Sequence, residues 1–499
     1  MEEISELIRV VNTFTKRNLP LVDLKTGPET ENKELRLFLG IKNGNFTTDS
    51  KASEGIYGTE EVDFKYRMLK SRLNRKLLNH LFFMELDAAS DGSKALRQEC
   101  MDYLHFAKMQ IFVGEQAAAQ KLLNKVIDLA KEYEFNDLVM TGLKDLRNIY
   151  SESYRPKLFV SLKEEISKFE NLLAIEEQAD KIYFEAKLVL NRSVNNRKKS
   201  LEPIEEAIVN LEKMSKEHKS FNIHEKHLKL NVWYNMLCGN FGLVLKLLKN
   251  ATEEHQAGKT NKYRYDEEFI RLNSVLALLR SRNYGQGFHL AEEYRDSMNN
   301  SRKSWFTLME YYYLLCVRSA EYNRATEAVV DVFGNKAAIF LDENERERWE
   351  LYKSYLFFVT GNRRLFKRSG FDDFNADTPE FNKEKAGINV ASMILQVVSN
   401  LDADLIQLHK ILNDIDDYII KHLNNAFSKR TKTFCKLLYK IVVHNRDKET
   451  ILSKSRYLVE KLHTAELGGD EFVDLEIIPY EELWEICIQR LSMLRYQDI

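Results

Sequence analysis

From about residue 91 onward, apolar residues recur at three- and four-residue spacing almost without interruption, the pattern of amphipathic helices. The informative feature is where that pattern stops. Breaks centre on Gly114 (FVGEQ), Arg155 (SYRPK), Asn196 (VNNRKK), Gly239 (LCGNF), Arg282 (RSRNY), Ala320 (RSAEY), Gly361 (VTGNR), Asp402 (NLDAD) and Asn445 (VHNRD). From Gly114 to Asn445 is 331 residues in eight intervals, about 41 per interval. A helix pair with two short turns takes roughly 34 to 47 residues. The spacing therefore predicts helical hairpins stacked in a row. After several breaks the second helix carries a run of apolar positions: Ala119, Leu123 and Val126; Val244, Leu248 and Ala251; Ala325, Val329 and Val332. These are the positions expected to pack against the preceding helix.

Two stretches depart from the pattern. KRSGFDDFNADTPEFNKEK, Lys367 to Lys385, is polar and contains Gly370 and Pro379, and reads as a loop insertion or hinge. Near the end, ELGGDEFVDLEIIP precedes a last amphipathic helix, YEELWEICIQRLSML, and its FVDLEI alternation suits an extended segment. A terminal repeat needs an atypical cap over its exposed apolar face, and residues 466–499 are assigned to one.

Ahead of the array lies a separate helical unit, residues 1–90. A helix is predicted over NKELRLFLGI, then a turn at KNGNFTT, a short helix DSKASEGIY with Asp49 or Ser50 as cap, Gly58, and a long helix from Glu60 to Met84. That last helix contains FKYRMLKSRLNRKLLNHLFF, with six Lys or Arg within twelve positions. A short helix, a Gly turn and a basic helix in that order also suit a helix-turn-helix. On a helical wheel Tyr66, Leu69, Leu73, Leu77 and Leu81 fall within an arc of about 120°, the face expected to bury. Lys65, Arg72 and Lys76 flank it with Arg75 beside them, whereas Arg67 and Lys70 lie elsewhere. Split in this way, the cations suit a solvated or partner-facing helix better than a phosphate-tracking surface.

Composition supports long helices, since 6 Pro and 19 Gly in 499 residues leave few helix breakers. At 499 residues the chain exceeds one ordinary core. With 74 basic against 76 acidic residues there is no global field toward nucleic acid or anionic lipid. No apolar stretch has the length of a membrane span. The first residues lack a secretory pattern, and the five scattered cysteines sit among apolar neighbours, so the expectation is a cytoplasmic protein with buried, reduced thiols.

Motifs for chemistry are sparse. NYGQGFH holds Gly285 and Gly287 but no Lys-Ser/Thr, so it does not read as a phosphate loop. His218, His224 and His227 in EHKSFNIHEKH lack the tight thiolate or carboxylate company that zinc needs, and are expected to be solvated. DENERERWE reads as a capping box with Asp342 as cap and Glu345 three residues on. MEYYYLLC reads as packing, with one tyrosine available to face a partner. No catalytic residue, metal or cofactor is assigned.

The turn Gly, the aromatic that follows it (Gly239 with Phe241, or Tyr322 in SAEYNRATEAVVDVF) and the small residue of the second helix resemble the tetratricopeptide consensus over about 350 residues. The early Trp and late Pro of that consensus are mostly missing, and the period exceeds 34. The chain is also similar to uncharacterised bacterial TPR-like proteins that end in a motif such as LEIIPYEELW, Leu475 to Trp484. The resemblance implies a partner-binding α-solenoid. The expected fold is thus all-α, a right-handed solenoid of stacked hairpins over 91–465 with the small helical domain before it. The expected function is a non-enzymatic interaction scaffold or adaptor for a protein or peptide. Its groove is assigned by register to Asn231, Ser274, Tyr312 and Lys353, eight residues before four successive breaks. The alternative is a nucleic-acid-binding regulator that reads through Lys65, Arg72, Arg75 and Lys76.

Overall fold

The computed structural model describes residues 3–5, 7–8, 32–81, 92–190, 201–361, 386–401, 404–418, 429–464 and 476–494. Among them are twenty α-helices, one 3₁₀ turn and no strand. The predicted all-α class holds. The break positions Asn196 and Asp402, the stretch 367–385 and most of ELGGDEFVDLEIIP lie outside the described residues.

The chain divides into two units, Met1–Phe169 and Glu170–Ile499. In the first, α1 (Lys33–Lys42), α2 (Asp49–Tyr57) and α3 (Phe64–Leu81) enclose their own core. Asn32 caps α1 by accepting from the backbone N–H of Glu34 and Leu35. The cap of α2 is Thr48, not Asp49 or Ser50, and α3 begins at Phe64, with Asp63 accepting from the N–H of Tyr66. Asp49 is used differently: it accepts from the Tyr66 hydroxyl at 2.7 Å and pairs with Lys70 at 2.8 Å. Tyr66, Leu69, Leu73 and Leu77 are fully buried, as their shared arc requires.

After these come α4 (Gly92–Phe112), α5 (Gln116–Glu132), α6 (Asn136–Glu152) and α7 (Pro156–Leu190), the last running through the division between the units. Helix α5 buries Ala119, Leu123 and Val126. Gly142 of α6 lies against it, where an added Cβ would stand 2.8 Å from Ile127 Cγ1, so the absent side chain permits the close approach.

The second unit continues with α8 (Leu201–Glu217), α9 (Phe221–Cys238), α10 (Phe241–Gln256), α11 (Glu267–Arg280), α12 (Tyr284–Ser297), α13 (Lys303–Arg318), α14 (Tyr322–Gly334), the 3₁₀ turn Lys336–Phe340, α15 (Glu343–Thr360), α16 (Ala386–Ser399), α17 (Leu405–Tyr418), α18 (Lys429–Val443), α19 (Lys448–Thr464) and α20 (Tyr480–Leu494). Helices pack chiefly on their neighbours in sequence, and α4 also meets α6, α11 meets α13 and α18 meets α20. The second-helix positions Val244, Leu248, Ala251, Ala325, Val329 and Val332 are buried. The capping box forms, with Glu345 N–H donating to Asp342 at 2.9 Å and Asp342 N–H to Glu345 at 3.0 Å.

Seven predicted breaks fall on described residues. Gly114, Gly239, Arg282, Ala320, Gly361 and Asn445 each have positive φ, and beside Arg155 it is Tyr154 that does. Six of these turns close with the same bond, from the N–H of the residue after the left-handed one to the carbonyl five residues back: Glu115 to Gln110, Arg155 to Tyr150, Asn240 to Asn235, Asn283 to Leu278, Glu321 to Cys316 and Arg446 to Ile441, all 2.8–3.0 Å. This is the Schellman closure, which satisfies carbonyls that a helix end leaves open. Between Arg155 and Asn196 the expected pair of helices is replaced by the single 35-residue α7. From Lys157 to Leu190 it contains no Gly or Pro, so nothing in that stretch favours a left-handed stop.

Candidate functional site

The basic stripe on α3 is partly consumed within its own unit. Glu34 of α1 takes Lys76 at 2.5 Å and Arg72 at 3.3 Å, and Asp49 of α2 takes Lys70. Lys65 and Arg75 are exposed, with no ion pair among the described residues. Of the four residues named for the DNA reading, two are therefore held by a carboxylate. Arg67 donates to the Val62 carbonyl at 3.2 Å.

The four groove positions go mostly into the interior. Ser274 is 9% exposed and back-bonds to the Ile270 carbonyl. Tyr312 is 1% exposed and stacks on Phe288, with its hydroxyl 3.4 Å from Glu292. Lys353, 2% exposed, donates to Glu350 at 3.2 Å and lies over the Phe333 ring; burial depresses its pKa against the opposing pull of Glu350. Asn231 is half-buried and accepts from the Asn235 amide. Ser274, Tyr312 and Lys353 thus serve the packing, because the first helices on which they lie are covered more fully than a single-sided groove implies. Helix α13 is the extreme: Trp305, Phe306 and Leu308 to Val317, except half-buried Glu310, are all buried.

What encloses α13 and its neighbours includes the end of the chain. The Glu476 carbonyl accepts from Arg318, the Tyr322 hydroxyl donates to Glu482, and Arg490 donates to the Phe358 carbonyl at 2.7 Å while stacking on that ring. At the centre lies Arg430 of α18, with no solvent exposure. Its Nε and Nη2 donate to the two oxygens of Glu476 at 2.9 and 2.7 Å, Nη2 also to Glu481 at 2.5 Å, and Nη1 to the Leu462 carbonyl at 2.6 Å. Glu476 further accepts from the N–H of Tyr480, fixing the first turn of α20, and Tyr480 stacks on Phe434. Burial raises the Glu481 pKa, but the hydrogen bond and charge of Arg430, with a backbone hydrogen bond and the charge of Arg282, together outweigh this and hold the carboxyl below its ordinary value. The guanidinium is correspondingly held charged against its burial.

This arrangement locks α20 and the residues just before it onto helices that precede them in the sequence. It is not built for proton transfer, because an arginine held by two carboxylates stays protonated. Burial also disfavours the thiolate form of four cysteines, pushing Cys100 up to about 11 and Cys316, Cys435 and Cys487 up to about 12. Cys238 departs from the expectation and is exposed. Gly285 and Gly287 open α12; a Cβ on Gly287 would lie 2.8 Å from Leu315 Cδ2, so that glycine serves helix packing. His224 lies 3.8 Å from Glu254, and among the described residues no three His, Cys, Asp or Glu side chains converge as a metal site. No helix among them is long and apolar enough to cross a membrane.

Sequence reading missed the lock, although LEIIPYEELW contains both of its carboxylates. The sign available was a carboxylate, Glu476, beside the apolar Ile477 and Ile478. Its arginine lies 46 residues away, a pairing that no local pattern announces. No protein-family model matches the chain, and neither a curated protein nor a solved structure resembles it.

Proposed function

We propose that the chain is a non-enzymatic interaction scaffold or adaptor, an α-solenoid of tetratricopeptide-like hairpins with a period of about 41 residues that is closed at its end by α20. The observation that carries the reading is the recurrence of one Schellman turn at the predicted breaks, with a helix pair between most of them. The packing of α11 on α13 supports it, because stacked hairpins bring their first helices side by side. A repeating helical array makes extended surface rather than an enclosed reaction site.

The groove positions chosen by register are poor handles for a test, since replacing Tyr312 or Lys353 would report on folding. Exposed apolar side chains on α4, Met101, Phe106 and Met109, give a surface that can be altered without touching the core. Affinity capture with cross-linking, using the full chain against an unrelated helical protein of similar charge, is expected to enrich a defined set of proteins. A variant with Phe106→Ser and Met109→Ser, folded by circular dichroism, is expected to lose that set. Equal recovery removes α4 as the surface, and no enrichment over the control removes the adaptor reading.

A further inference from the structure

Helices α19 and α20 leave an open groove of about 700 Å³ between them. Trp484 and Ile488, both buried, form its apolar floor, and Leu452 and Val459 extend it along α19. Ser455 also lines it, 1% exposed, and its hydroxyl has no hydrogen-bond partner. The groove belongs to the last helix pair of the described chain. The helices that pack substantially on α19 are α18 and α20, and those on α20 are α18 and α19.

The rim says what fits there. Arg456 and Glu460 are exposed, one turn apart on α19, and neither forms an ion pair among the described residues. If a second α19 lies antiparallel across the first, with its two-fold axis near residue 458, Arg456 of each copy meets Glu460 of the other, and the contact occurs twice. An isologous interface is self-complementary in this sense. From Leu452 to His463 the face runs about 17 Å, at about 1.5 Å per residue, enough for three turns of helix-on-helix packing.

We propose that this groove is closed by the same groove of a second copy of the chain, so that α19 and α20 of each copy form a four-helix bundle about a two-fold axis. The interface is a dimer contact formed by α19 and α20.

Sedimentation equilibrium of the full-length protein, from nanomolar to tens of micromolar, is expected to show a monomer–dimer equilibrium. Arg456→Glu alone, or Glu460→Arg alone, places like charges together twice and is expected to weaken the dimer about tenfold or more. The double reversal restores opposite charges across the axis and is expected to recover dimerisation. A contact with any other surface predicts no such rescue. Leu452→Asp, at an exposed position outside the core, is expected to give a folded monomer. A wild-type chain that stays monomeric at tens of micromolar overturns the proposal and leaves the groove to an amphipathic helix of another protein. A double reversal no tighter than the singles, or a Leu452→Asp variant as dimeric as wild type, also overturns it.

Discussion

Arg430 shows how much of this protein rests on a few charged atoms. A buried guanidinium is tolerable because every side of it meets an acceptor, and removing it leaves Glu476 as an uncompensated buried charge. Breaking a buried pair in this way costs about 3–5 kcal/mol, so Arg430→Met should lower the urea midpoint strongly. A companion variant that also makes Glu476 and Glu481 apolar should recover much of the loss; if it does not, the network matters for more than its charge. The pH dependence follows from Glu481. Its folded pKa lies below the ordinary glutamate value of about 4.3. The stability it contributes is therefore fully present above that value and is lost as pH falls through the lower folded value. Glu481→Gln should flatten the acid limb of stability against pH below the ordinary glutamate range; an unchanged slope would remove the carboxylate from the account. None of this was legible residue by residue, whereas the Asp342–Glu345 capping box was, because its partners are three residues apart.

At the scale of the element, the turns were the most readable feature. Gly114, Gly239 and Gly361 announce left-handed stops through their missing Cβ. Arg282, Ala320 and Asn445 were found through the interruption of the apolar pattern, and the structure gives them the same backbone sign. Helix α7 was misread for the converse reason: spacing supplied an expected pair of helices where the residues supply no stop. Helix α3 was read correctly on its buried face, but the fate of its cations depended on Glu34 and Asp49, which reach it only through folding. Since Arg72 and Lys76 already face a carboxylate, the full chain should show no salt-dependent binding to random duplex DNA at micromolar protein. Filter binding between low and physiological salt checks this. Tight binding abolished by changing Lys65, Arg72, Arg75 and Lys76 to Gln, with a salt slope near 0.9 per lost phosphate contact, would restore the DNA reading.

For the whole molecule, the useful question is how far a disturbance spreads. If hairpins stack in a row, each contacts its neighbours, and stability is a sum of unit and nearest-neighbour terms. A globule with one shared core behaves otherwise, losing protection everywhere together. Leu123 of α5 is fully buried, and Leu→Ala at such a site costs about 2–5 kcal/mol. Leu123→Ala should therefore raise amide hydrogen exchange in α4, α5 and α6 while α18, α19 and α20 keep their wild-type protection. The reciprocal experiment uses Arg430→Met, which should loosen α18 and α20 and leave α5 unmoved. Hydrogen exchange read by mass spectrometry on peptides from each helix separates the two cases. Uniform acceleration along the chain from either substitution would sink the stacked-hairpin reading, and with it the argument that this sequence was made to present surface.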